Sequence, residues 1–268
     1  MFRAFPIGRV FGIRLDVHAS WLPIYALITA ALANVAPIAA LGIVPAYAIA
    51  AAGALLLFAS VVVHELAHAL TARRFGVRTS SIALFLFGGV ATLECEPPAP
   101  GPDALVALAG PAISVVVAAA AYGTMFLVDA VIPAHFSDAA ASILAYLTFV
   151  NAVLAGFNLL PAYPMDGGRV LRALLWQIRG DRDRATVTAA LVGIAFGVCF
   201  AAGGVVAVAV THTWTFAWFV AVAAFLMRTC IVQVRELRRS DANAILRSTR
   251  PASASVSVGV RTANQPSG

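Results

Sequence analysis

His64-Glu65-Leu66-Ala67-His68 sets two imidazoles and a carboxylate inside an apolar run, with residues 55–63 before it and Ala69-Leu70 after it. On a helix, residues four apart share a face, so His64 and His68 can hold one metal ion while Glu65 reaches water beside it. Two imidazoles are only part of a zinc shell; a catalytic site of this type needs a third protein ligand and an open position. A carboxylate is available far downstream, in Asn158-Leu159-Leu160-Pro161-Ala162-Tyr163-Pro164-Met165-Asp166-Gly167-Gly168-Arg169. Pro161 and Pro164 break a helix there and Gly167-Gly168 let the backbone turn, so Asp166 is presented on non-helical chain. Two roles are open to it. It is a third metal ligand, or it caps a helix over residues 168–178 and pairs with Arg169 at the surface.

The elements that position these residues belong in a membrane. The chain is 61% hydrophobic and 11% charged, with a mean hydropathy of +0.91, more apolar surface than a soluble domain of 268 residues can bury. Ionisable groups at membrane depth cost about 2.5–3.5 kcal/mol each, so an intramembrane His-Glu-His cluster points to function. Stretches of about 20 apolar residues predict an all-α polytopic membrane protein with six transmembrane helices, over 21–37, 44–72, 104–130, 139–160, 186–210 and 214–234. The first two form a tight hairpin. Residues 7–17 alternate like a strand and predict a short β element in an N-terminal segment 1–17, with no cleavable signal peptide. Residues 80–94 are too short to span, and Gly88-Gly89 at their centre suggests a turn, so a re-entrant β-hairpin is expected over about 79–95 beside the metal site. The membrane core then covers 18–239, and 240–268 is a basic, then disordered tail.

The chain has no lysine, so arginine alone reports orientation. Arg3, Arg9 and Arg14 precede the first span, Arg73, Arg74 and Arg78 follow the second, Arg169 to Arg184 follow the fourth, and Arg228 to Arg239 end the sixth, whereas the alternate loops carry none. By the positive-inside rule both termini are cytoplasmic. The pI near 9.9 is therefore accounted for by topology and contact with anionic membrane lipids, and nucleic acid is not an expected partner. Cys95, Cys199 and Cys230 suggest neither a disulfide framework nor a metal site.

His64-Glu65-x-x-His68 together with Asn158-x-x-Pro161-x-x-x-x-Asp166-Gly167 resembles the site-2 protease family of intramembrane zinc metalloproteases, over about residues 8–175. The resemblance implies one Zn2+ per chain held by His64, His68 and Asp166, with Glu65 as general base and Asn158 near the substrate carbonyl or a metal-bound water. It implies hydrolysis of peptide bonds within transmembrane segments of single-span regulators such as anti-sigma factors, already cut once by another protease, in the cell membrane of a prokaryote. The hairpin edge is where relatives are thought to take the unwound substrate as an added strand. Gly110-Pro111-Ala112-Ile113-Ser114 matches the family's Gly-Pro element, except that Ser114 stands where many members have asparagine. His18 matches a histidine at the start of the first span; it either supports the metal ligands from behind or is an interfacial residue beside Trp21. His135 and His212 are expected in outer loops. No PDZ or CBS module is expected after residue 234, which corresponds to the compact form of the family.

Two other classes compete. A membrane metal-ion transporter also places His and Asp in its spans, but such proteins tend to repeat their broken helices in each half, and this sequence has one interrupted span and no His-rich loop. A binding scaffold has no use for Glu65.

Overall fold

The structure is a computed structural model that describes residues 4–85 and 88–248. Two strands open the chain, β1 (Ala4–Val10) and β2 (Ile13–His18), paired antiparallel with Val10 opposite Ile13. The two residues between them, Phe11 and Gly12, both have positive φ (51° and 84°), the two-residue turn whose twist suits a hairpin. A second hairpin, β3 (Thr79–Phe85) and β4 (Gly88–Leu93), is also antiparallel. β2 and β3 pair in parallel, Arg14 opposite Ser81 through Val17 opposite Leu84, giving one four-stranded sheet in the order β1-β2-β3-β4. Inward residues of the middle strands, Ile13, Leu15 and Ile82, bury against Leu66 and Ala69 of the helix that carries the His pair.

The expected turn at Gly88-Gly89 is displaced. Phe85 pairs with Gly88 and Leu84 with Gly89, so the strands connect through residues 86–87, outside the described residues, and both glycines lie in β4. A Cβ added at Gly89 would stand 2.5 Å from Glu65 Cγ and 3.1 Å from its Cδ. The glycine is there for close approach to Glu65.

The helices run α1 (Trp21–Ala33), α2 (Ala36–Ala39), α3 (Ile43–Arg74), α4 (Pro100–Met125), α5 (Val128–Val131), α6 (Ala134–Asn158), α7 (Asp166–Arg179), α8 (Arg182–Thr211) and α9 (Ala217–Ser248). Among the described residues, five are long and apolar enough to cross a membrane, in α3, α4, α6, α8 and α9. The first expected span is shorter than read. α1 has 13 residues because the chain leaves the helix at Asn34 and Pro37 opens a separate single turn. Trp21 stacks on Tyr25, ring centroids 5.0 Å apart, and meets Phe58 edge-on at 4.9 Å, which fastens α1 to α3. The last span continues unbroken into the basic stretch as far as Ser248, and the expected disordered tail from 249 lies outside the described residues.

α6 ends at Asn158, where Pro161 and Pro164 prevent its continuation. The connection to α7 contains a cis Tyr163-Pro164 peptide and is held from α9, whose Cys230 Sγ donates to Tyr163 O (2.8 Å) while the Tyr163 hydroxyl donates to Gln233 Oε1 (3.2 Å). Gly167 and Gly168 do not turn the chain. They are the first residues after Asp166 within α7, and Cβ atoms there would run into the carbonyls of Leu159 and Leu160 and the backbone of Ala162 and Tyr163.

Candidate metal centre

Because His64 and His68 are one helical turn apart on α3, their rings converge, with Nε2 atoms 3.2 Å apart. Asp166 enters from the first residue of α7 and sets its Oδ2 3.5 Å from His64 Nε2 and 3.2 Å from His68 Nε2. One ligand atom from each of the three lies within 4.8 Å of the others. Both imidazoles are buried, at 3% and 6% exposure. Such a set of two imidazole nitrogens and one carboxylate oxygen, converging on one point, fits a divalent ion and leaves room for a fourth position. The residue behind that point is Gly110, where a Cβ would come within 2.6 Å of His64 Nε2.

Each imidazole is oriented through its other nitrogen. His68 Nδ1 donates to the carbonyl of Val106 (2.6 Å), and His64 Nδ1 meets Ser114 Oγ at 2.8 Å. Both partners lie on α4, two turns apart, with Gly110 between them, so a single helix face serves both rings. Ser114, the departure from the common family pattern, thus occupies a position that supports a ligand. Ser114→Ala should lower metal affinity about 10–100-fold, the usual effect of losing an outer partner, as read by competition with a chromogenic chelator; parent-like affinity would remove the orienting role.

Asp166 and Arg169 form no ion pair among the described residues. Arg169 turns instead to Asp103 (Nη2 to Oδ1, 3.4 Å), which also receives a fork from Arg172 at 2.7–3.0 Å. Asp103 is fully buried and Arg172 nearly so, at 6% exposure. This cluster bolts α7 to the first turn of α4, and so fixes the start of α7, where Asp166 sits, against the helix that orients both histidines. Sequence reading missed it. The signal was present in an acidic residue opening an apolar helix and an arginine six residues beyond Asp166. Asp103→Ala strands a buried guanidinium and should cost about 3–5 kcal/mol, seen as a lowered unfolding midpoint in detergent; adding Arg172→Leu should recover part of the loss.

A cavity of about 390 Å3 opens onto the cluster, lined by His64, Glu65, His68, Asp166 and Asn158, with Gly89, Ala91 and Leu93 of β4 along one wall. These three alternate along the strand, as one face of β4 must. The sequence-expected residues therefore meet at one place. His18 Nδ1 lies 2.9 Å from Ser20 Oγ. His135 lies in the first turn of α6, and His212 closes α8 with φ 52°. Cys95, Cys199 and Cys230 are free thiols.

The sequence profile of peptidase family M50 matches residues 52–142 and 127–202. This chain belongs to that family. It is 41% identical over 214 residues to "Putative zinc metalloprotease Rip3" of Mycobacterium tuberculosis, across 76% of this chain and 53% of that protein. It is 40% identical over 192 residues to a protein of Synechocystis whose name likewise describes a zinc metalloprotease, across 71% of this chain and 49% of the other. The chain thus spans about half the length of these curated relatives. Its fold is similar to that of the site-2 protease from Methanocaldococcus jannaschii, with a TM-score of 0.57 and 26% identity over 87% of this chain and 95% of that one.

Proposed function

We propose that this chain is an intramembrane zinc endopeptidase, with His64, His68 and Asp166 as the metal ligands, Glu65 as general base and Asn158 as a polar contact for the substrate carbonyl. The observation that carries the reading is the convergence of two imidazole nitrogens and a carboxylate oxygen within 4.8 Å, next to Glu65 on a helix of membrane-spanning length.

The chemistry a zinc ion supplies in such a site is Lewis acidity, which polarises a peptide carbonyl and makes water nucleophilic near neutral pH. Glu65 takes the proton from the attacking water as its oxygen adds to the carbonyl carbon. The same carboxyl then returns a proton to the amide nitrogen as the C–N bond breaks, leaving a carboxylate and an amine. Asn158, at the last turn of α6 and on the cavity wall, offers an amide N–H to the carbonyl oxygen. Gly89 allows β4 to pass directly over Glu65, so a strand laid along β4 is carried past the base.

β4 is the edge of the sheet, with no further strand beyond it among the described residues. A transmembrane helix hides its carbonyls in its own hydrogen bonds, and unwinding onto this edge exposes them in an extended form. The substrates proposed are single-span membrane proteins, with pre-cleaved regulators such as anti-sigma factors as the regulated case. Arginines flanking the spans support cytoplasmic termini in a prokaryotic cell membrane, and the division into an N-terminal β segment, a membrane core over 18–239 and a tail is proposed with it.

The test is mass-spectrometric profiling of new peptide termini in host membranes expressing the parent chain or Glu65→Gln. Termini inside transmembrane segments that vanish in Glu65→Gln are the expected result. Identical termini at equal expression and metal content, with the first-cleavage stress supplied, would sink the proteolytic reading.

A further inference from the structure

A second cavity, of about 690 Å3, shares no lining residue with the His-Asp site. Its wall holds Arg9, Arg14, Arg73 and Arg78, against one acidic residue, Glu94. The arginines come from β1, β2, the last turn of α3 and the connection into β3. They are therefore gathered by tertiary structure, since docking the sheet on α3 brings together positions as far apart in the chain as Arg9 and Arg78.

Two features make the gathering costly unless something neutralises it. Arg9 and Arg14 are direct cross-strand partners, and like charges placed opposite each other destabilise a strand pair. Only Arg14 has an internal counter-charge, with its Nε 3.0 Å from Asp16 Oδ2; Arg9, Arg73 and Arg78 form no ion pair among the described residues, and Arg73 donates to the Phe11 carbonyl at 3.3 Å. All four arginines are exposed. The place is also particular. Arg73 ends a helix of membrane-spanning length, so the pocket lies where hydrocarbon gives way to headgroups, and Phe11, 66% exposed at the hairpin tip, is an aromatic at that same level.

We propose that this pocket binds a phosphate-bearing anion, of the kind an acidic phospholipid headgroup presents at this depth. Guanidinium forks match phosphate oxygens in geometry as well as charge, and basic pockets beside membrane helices hold acidic headgroups in this way. The bound anion ties β1, β2 and the start of β3 to the end of α3. It thereby steadies the base of the same sheet whose β4 strand passes Glu65. The inference does not depend on the hydrolytic reading and is tested without activity.

The full chain, delipidated in detergent and offered equal phosphatidylglycerol and phosphatidylcholine, is examined by native mass spectrometry. Parent should retain phosphatidylglycerol preferentially, and Arg9→Gln with Arg78→Gln should cut that preference about thirtyfold, the expectation for two lost arginines near a charged surface. Arg9→Lys with Arg78→Lys, which keeps the charge but not the fork, should fall between parent and the glutamine pair. Arg235→Gln with Arg238→Gln, exposed arginines at the end of α9, should keep all of it. In a second arm, inorganic phosphate is titrated against the chain in phosphatidylcholine nanodiscs. Binding that Arg9→Gln with Arg78→Gln abolishes supports the pocket and assigns it to free phosphate if lipid preference is absent. An equal loss in the α9 pair, or no difference between parent and pocket variant in either arm, overturns the proposal.

Discussion

Glu65→Gln should leave the zinc content of the purified protein unchanged and lower the rate of peptide cleavage by about 10²–10⁴-fold, the usual contribution of a positioned general base. The substitution isolates proton transfer because the shape of the side chain is kept. Glutamine packs beneath Gly89 as glutamate does, where a bulkier group would meet β4, yet it cannot accept a proton from water. Metal content by elemental analysis and turnover of a labelled transmembrane peptide are the two readings. Parent-like turnover would remove Glu65 from proton transfer, and loss of metal would move it to a structural role instead.

Asp166→Ala should empty the site, with zinc per chain falling from about one towards zero as the third donor of a three-ligand set disappears. Full zinc occupancy in this variant would refute the ligand role. Gly110→Ala reaches a similar end by another route. All three donors stay, but the new methyl would lie 2.6 Å from both His64 Nε2 and His68 Cε1, so the rings must move apart or the space for the ion is lost. Zinc retained by Gly110→Ala at parent affinity would show that α4 yields. Comparing the two variants separates the chemistry of the ligand from the shape of its enclosure.

The His pair was legible because four-residue spacing on a helix is a local property, and burial of polar residues in an apolar run is visible in the sequence. Asp166 was legible as a candidate, but whether Arg169 pairs with it was not, because that depends on contacts far along the chain. Arg169 goes to Asp103, 66 residues earlier, and no local pattern records such a pairing. The two hairpins were read as β elements, whereas their union through parallel pairing of β2 and β3 is a long-range contact across three helices. Gly88-Gly89 misled for a physical reason: glycine marks both turns and close approach, and only the position of Glu65 beneath β4 distinguishes them. Ser114 reads as a weakened match until its hydroxyl is placed 2.8 Å from His64.

The parallel pairing of β2 with β3 also constrains how the chain lies in the bilayer. Strands bonded side by side lie on the same side of the membrane, and a path that returns to its own side has crossed an even number of times. A crossing by α3 then requires a second one between His18 and Gly42, where α1 has 13 residues. That is about 20 Å of helix against a hydrocarbon layer of about 30 Å. A helix this short is accommodated by a thinner bilayer, by flanking residues that reach to the interface or by association with other helices. α1 is fastened to α3 through Phe58, less than two turns before His64, so whatever accommodates the short helix acts beside the candidate metal centre.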